Sequence, residues 1–217
     1  MPREKLYSRK TDVRTARVFV VACEGEQTEA IYFNALAEGL RRVRVISLPA
    51  FDGLSAPEQV IERLNDFADK QGIFKTTTGG GELWMVFDVD HYFAPNHVGA
   101  THRVLNEATR RGYQFAISNK CFEVWLLGHF EEVAPHDSVD ELTVRLRVHL
   151  GGYQKNRLSF EKFRPHISAA MQRAKNADIA PHEREPAHPG SRVYRLLEAM
   201  RTACGVSWPY DADEPEA

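Results

Sequence analysis

The stretch Arg17-Val18-Phe19-Val20-Val21-Ala22-Cys23-Glu24-Gly25-Glu26-Gln27-Thr28-Glu29 sets the fold class. Its first half is an unbroken, valine-rich apolar run, short enough for a strand buried on both faces. The chain turns acidic where that strand should end, and Thr28 to Arg42 then places Ile31, Phe33, Leu36 and Leu40 at roughly helical spacing. A buried strand handing over directly to a helix opens a βα unit.

The rhythm repeats outward from there. Val43 to Leu48 is a second β-branched run, and after the turn Pro49 to Pro57 the residues Val60, Ile61, Leu64, Phe67 and Ala68 mark an amphipathic helix. Gly79 to Gly81 punctuate the chain before a third strand, Leu83 to Phe87, and Pro95 precedes a helix whose inward face is Val98, Val104, Leu105 and Ala108. Tyr113 to Ile117 supplies a fourth strand. Ser118 and Asn119 read as caps of a helix from about Lys120 to Phe130, and Val139 to Leu150, Ser159 to Lys175 and Ser191 to Ala203 read as three further helices. The expectation is an α/β fold with a mainly parallel four-stranded sheet, helices on both faces and a helical C-terminal extension. Residues 17–204 form one domain in this reading, with a core over 17–131 and the extension over 138–204. A basic flexible arm, 1–16, precedes it and an acidic tail, 205–217, follows, expected to be frayed after Trp208.

The 217 residues carry a formal charge of -2, which argues against a uniformly basic nucleic-acid coat; any polyanion binding must be local. Cys23, Cys121 and Cys204 are widely spaced and contain no C-x-x-C pair, so a reducing compartment, the cytoplasm, is expected. The apolar run Val18 to Cys23 is too short for a signal-peptide core or a membrane span. Phosphate-loop, dinucleotide, nucleophile-elbow and H-E-x-x-H motifs are missing, which speaks against ATP hydrolysis by this chain.

The acids carry the chemistry. Asp88-Val89-Asp90 closes the third strand as Glu24 closes the first, and in a persisting strand Asp88 and Asp90 project to the same side. Like charges crowded at a sheet's carboxyl edge invite a divalent cation, and Mg²⁺ or Mn²⁺ favours a few carboxylate oxygens with substrate phosphate. Glu24 completes the set if strand one neighbours strand three. The plain alternative is that these acids cap loops. Glu26 and Glu29 lie where negative charge complements a helix dipole, so capping is their expected role. Glu123 points either into the crevice or to a solvated edge, and Lys120, Lys155 and Arg157 are candidate phosphate contacts. His91 and His129 are candidate proton carriers against a structural alternative.

Between Leu142 and Lys175 eight Lys or Arg residues accompany one acid, Glu161, with Tyr153, Phe160 and Phe163 interleaved. This reads as the best nucleic-acid surface in the chain, with rings to stack bases, or else as solvated helix faces whose aromatics enter the core.

Val20 to Glu29, then Val86-Phe87-Asp88-Val89-Asp90, then Ala116-Ile117-Ser118-Asn119-Lys120-Cys121-Phe122-Glu123-Val124-Trp125-Leu126-Leu127-Gly128-His129-Phe130 resemble, in order and spacing, the RloB-like proteins. The resemblance runs from about Arg17 to Met200, and the Ser-Asn-x-Cys-Phe-Glu-x-Trp block is its most specific part. It implies a compact Toprim-like fold in which Glu24, Asp88 and Asp90 match the catalytic acids and hold metal, with Glu123 as a further catalytic candidate. It also implies Mg²⁺-dependent phosphodiester hydrolysis of DNA or RNA, tRNA included, in anti-phage defence, restriction-modification or abortive infection, controlled by a separate ABC-type or AAA-type ATPase. The chain departs from the family pattern at Lys120, where proline is expected, at His91, and at His188-Pro189-Gly190-Ser191, where Asn-Pro-Ser-Thr is expected. Two other readings remain: a non-catalytic regulatory or interaction subunit, and a small-molecule metal phosphohydrolase. The latter is disfavoured because Asp88-Val89-Asp90 runs into His91-Tyr92-Phe93 without the usual threonine.

Overall fold

The computed structural model describes residues 16–71, 81–89, 91–135 and 137–211. Almost all of the basic arm, Gly79 and Gly80, Asp90, the side chain of His91 and the end of the acidic tail therefore lie outside the described residues. Five strands, β1 (Arg17–Cys23), β2 (Val43–Leu48), β3 (Glu82–Asp88), β4 (Gln114–Asn119) and β5 (Gly190–Ser191), form one sheet in the order β2-β1-β3-β4-β5. The first four run parallel, as the alternation of strands and helices requires. The fifth corrects the expected four: it pairs antiparallel with β4, Ser118 beside Ser191 and Asn119 beside Gly190. Two residues carry no periodicity, so only tertiary pairing creates this strand.

Period-2 alternation distributes the buried side chains between two cores. Phe19, Val21 and Cys23 of β1 and Trp84 and Val86 of β3 face one; Val20 and Ala22 with Leu83, Met85 and Phe87 face the other. Helices α2 (Pro57–Gln71) and α3 (Val98–Arg110) cover the second face through Val60, Ile61, Leu64, Val104, Leu105 and Ala108. The first face takes α1 (Thr28–Glu38), α4 (Phe122–Leu127), α5 (Val139–Leu150), α6 (Ile167–Ala177) and α7 (Val193–Cys204). The helical extension thus shares the core of the sheet.

Three local readings are corrected. Ser118 and Asn119 belong to β4: the Ser118 hydroxyl pairs with that of Ser191 at 2.9 Å and the Asn119 amide donates to the Pro186 carbonyl, so neither caps α4, which begins at Phe122. The stretch from Ser159 is two 3₁₀ turns, Phe160–Lys162 and Arg164–His166, before α6, with Pro165 at the break. The beginning of the tail is docked, not frayed: Trp208 and Tyr210 are buried, and the Tyr210 hydroxyl donates to the Leu36 carbonyl at 2.7 Å. Among the described residues no helix is long and apolar enough to cross a membrane.

Candidate active site

β1, β3 and β4 run parallel, so their carboxyl ends share the edge where open α/β sheets bind ligands. β1 lies beside β3, as the joint use of their acids requires, and the Glu24 N–H donates to the Val86 carbonyl at 2.8 Å. The Glu24 carboxylate reaches over the end of the ladder to accept the Asp88 N–H at 2.7 Å. Asp88 in turn accepts the Phe122 N–H at 3.2 Å, tying β3 to the first turn of α4. That tie brings Glu123 to the same place. Glu24, Asp88 and Glu123 line one cleft of about 470 Å³, together with Glu26, Glu29 and Lys155.

Glu123 occupies the crevice. It is 2 % exposed, and its Oε1 receives the Tyr153 hydroxyl at 3.0 Å and the Lys155 ammonium at 2.9 Å. Burial would raise its carboxyl pKa, but the charge and hydrogen bond of Lys155 outweigh burial and hold it below the usual range. Asp88 goes the other way. Desolvation, then the charges of Glu24, Glu29 and Glu123, push it well above the ordinary carboxylate value despite the Phe122 N–H.

Glu29 was expected to serve the helix dipole, and it does sit in the first turn of α1, but it is also a buried member of the cleft. Its carboxylate folds back to accept the Gly25 N–H at 3.2 Å, so closely that a Cβ on residue 25 would lie 2.1 Å from Oε2. Burial and the charge of Glu123 raise its pKa against its backbone hydrogen bonds. The signal was the spacing: a glycine, which offers no obstruction, four residues before an acid on an opening helical turn. Glu26 is exposed and accepts the Gly53 N–H at 3.1 Å.

The cationic candidates divide. Lys155 enters the cleft on the segment after α5, its carbonyl held by the Thr28 hydroxyl at 2.8 Å. Burial lowers its pKa, but Glu123 foremost turns the balance upward, so the ammonium stays charged. Lys120 is exposed and does not line the cleft. Arg157 lines a separate depression with Arg147 and Gln154.

In its rings the stretch from Leu142 to Lys175 follows its alternative reading, aromatics turned into the core. Tyr153, Phe160 and Phe163 are buried. Arg145 pairs with Glu131 and Asp137, Arg164 with Glu161, Lys175 with Glu198 and Lys155 with Glu123, while Arg173 donates to the Gly128 and His129 carbonyls. Acids outside the stretch thus pair Arg145, Lys155 and Lys175, while Arg147, Arg157 and Lys162 remain exposed. His129 is structural: 1 % exposed, it meets the Tyr32 hydroxyl at 3.0 Å, and burial drives its pKa down to about 3.

The cleft's acidic donors are carboxylate oxygens, the hard ligands that Mg²⁺ and Mn²⁺ prefer, and burial together with neighbouring acids raises the pKa of Asp88 and Glu29, a cost that a cation would relieve. The set fits such an ion in chemistry. It is not coordination-ready: among the described residues no three acid, thiol or imidazole groups stand together as a ligand cluster. Glu24 is turned to the Asp88 N–H, Glu29 to Gly25 and Glu123 to Lys155, so ligation would require them to exchange these partners.

A family model described as RloB-like protein matches residues 19–200. No curated protein and no solved structure matches the chain.

Proposed function

The chain belongs to the RloB-like protein family, and from that premise and the acidic cleft we propose that it is a divalent-metal-dependent nuclease of Toprim-like design, acting in the cytoplasm in phage defence under a separate ATPase. The observation that carries the reading is the convergence of Glu24, Asp88 and Glu123 from β1, β3 and α4 on one cleft with Lys155 opposite. Glu24 and Asp88 are the metal-holding pair, with Asp90 two residues on. When bound, Mg²⁺ or Mn²⁺ supplies Lewis-acid polarisation of the scissile phosphate. Lys155 can exchange Glu123 for a phosphate oxygen, and Glu123, held ionised until that exchange and more basic after it, then accepts a proton or orients water. Tyr153 keeps the Glu123 carboxylate in place meanwhile.

The test is incubation of the purified chain with DNA, total RNA and tRNA in Mg²⁺ or Mn²⁺, with and without the ATPase, beside Glu24→Gln and Asp88→Asn. The reading expects cleavage that both substitutions abolish, and cleavage indifferent to both sinks it. One observation favours a second reading, a non-catalytic interaction subunit: Arg145, Lys155, Arg164 and Lys175, four of the eight cations in 142–175, are paired with acids of the chain itself and not held out to a polyanion. Tight ATPase binding with no cleavage under any condition, unchanged in both variants, would select that reading.

A further inference from the structure

At the rim of the cleft the side chains of Phe51 and Leu54 are 71 % and 50 % exposed. Among the described residues Phe51 is the one strongly exposed phenylalanine, tyrosine or tryptophan. It opens a tight turn: the Leu54 N–H donates to the Phe51 carbonyl at 3.0 Å, and the central residues Asp52 and Gly53 have φ of 52° and 73°. Two consecutive left-handed residues are the pattern of a type I′ turn.

This turn is fastened to the site. The Ala50 N–H donates to the Gly25 carbonyl at 3.1 Å, and the Gly53 N–H to Glu26 Oε1 at 3.1 Å. Arg63 bridges the Leu54 carbonyl at 2.7 Å and the Cys23 carbonyl at 2.5 Å, joining the turn to the residue before Glu24. Ala50, Gly53 and Ser55 line the same cleft as the acids, so Phe51 is bracketed by cleft residues. An aromatic ring held out on an ordered turn forgoes the stabilisation of burial without gaining the freedom of a loose loop.

We propose that Phe51, flanked by Leu54, is a stacking platform for an unpaired nucleobase adjoining the phosphodiester held in the cleft, so the substrate class is single-stranded or looped nucleic acid. The inference rests on the nuclease reading above. Stacking suits this surface because the cleft beside it is acidic, so affinity there has to come from a contact that needs no positive charge. The aromatics expected to stack, Tyr153, Phe160 and Phe163, are inside the core, and among the described residues Phe51 is the ring left strongly exposed. A duplex would have to unstack a base to use it, whereas a single strand or loop offers a free face.

The experiment measures binding of the full chain, with Ca²⁺ replacing Mg²⁺ to suppress cleavage, to a labelled single-stranded oligonucleotide, to its duplex, and to single strands carrying one abasic position in turn. The proposal expects tighter binding of the single strand than of the duplex. Phe51→Ala should weaken single-strand binding about tenfold and leave the duplex unchanged. One abasic position should weaken the wild type and have no further effect on Phe51→Ala, and Phe51→Trp should keep affinity with its emission quenched on binding. Equal single-strand affinity for wild type and Phe51→Ala overturns the platform. If Glu24→Gln abolishes cleavage in that case, the nuclease reading survives alone; absence of both nucleic-acid binding and cleavage overturns the two together.

Discussion

The Glu24 carboxylate accepts the Asp88 N–H at 2.7 Å, closing the gap between neighbouring strands beyond the end of their ladder, and so positions one candidate ligand with the backbone of the other. Charge and positioning can therefore be separated by substitution. Glu24→Gln keeps an oxygen acceptor for Asp88 and removes the charge, so it should retain stability and lose cleavage by at least about a hundredfold. Glu24→Ala leaves that N–H without its partner and should also lower unfolding free energy by about 1 to 3 kcal/mol. Cleavage assays beside urea denaturation read both effects.

Metal removal should expose the repulsion among the acids. In the folded chain the carboxyls of Asp88 and Glu29 are raised, so between their ordinary and raised values the folded state holds protons that the unfolded chain has released. Stability must then fall as pH rises through that window. Chelated protein should melt lower at about pH 8 than at about pH 5, after the acid-sensitive groups elsewhere are accounted for by an Asp88→Asn control that loses most of the difference. Added Mg²⁺ should raise the melting temperature chiefly at the higher pH. A thermal shift equal in wild type and Asp88→Asn would count against a cation at this cleft.

What the sequence made legible follows from how each element is specified. β1 and β3 are continuous apolar runs because parallel strands are buried on both faces, and the acids at their ends could be read without knowing any contact. Glu123 needed the structure, since its direction depends on where α4 begins, and that is set by β4 continuing through Asn119 and pairing with β5. The pairing of Arg145 and Lys175 was not legible because their counter-charges, Glu131, Asp137 and Glu198, lie outside the basic stretch. Phe51 lies in a turn, where periodicity says nothing about exposure.

Asp178 anchors the segment that delivers β5. It is 6 % exposed and accepts two hydrogen bonds from Arg192 Nε and Nη2 at 3.0 Å, the Tyr194 hydroxyl at 2.9 Å and Arg195 Nη2 at 2.7 Å. Burial would raise its carboxyl pKa, but these donors hold it below the usual range. Its contribution is therefore present above the ordinary carboxylate value and lost as pH falls through the depressed one. Asp178→Asn strands the charge of Arg192, itself 2 % exposed, and should cost about 3 to 5 kcal/mol at neutral pH. The gap between variant and wild type should narrow in acid, which denaturation at a series of pH values measures.

Lys155 should reveal itself in the pH dependence of cleavage. Burial is the largest influence on Glu123 and acts to raise its pKa; Lys155 reverses the net direction. Lys155→Met removes that opposition, so the Glu123 carboxyl pKa should rise and the proton be taken up at a higher pH than in the wild type. A carboxylate needed in ionised form then loses function earlier, and the acidic limb of the pH–rate profile should move to higher pH. Lys155→Arg keeps the charge and should leave the limb near its wild-type position, while Tyr153→Phe removes one hydrogen bond to the same oxygen and should lower the rate without an equal shift. If residue 155 matters only through its backbone carbonyl, which the Thr28 hydroxyl binds and which Lys155→Met keeps, that variant will leave the limb where it was. Cleavage rates of the three variants across pH separate these outcomes.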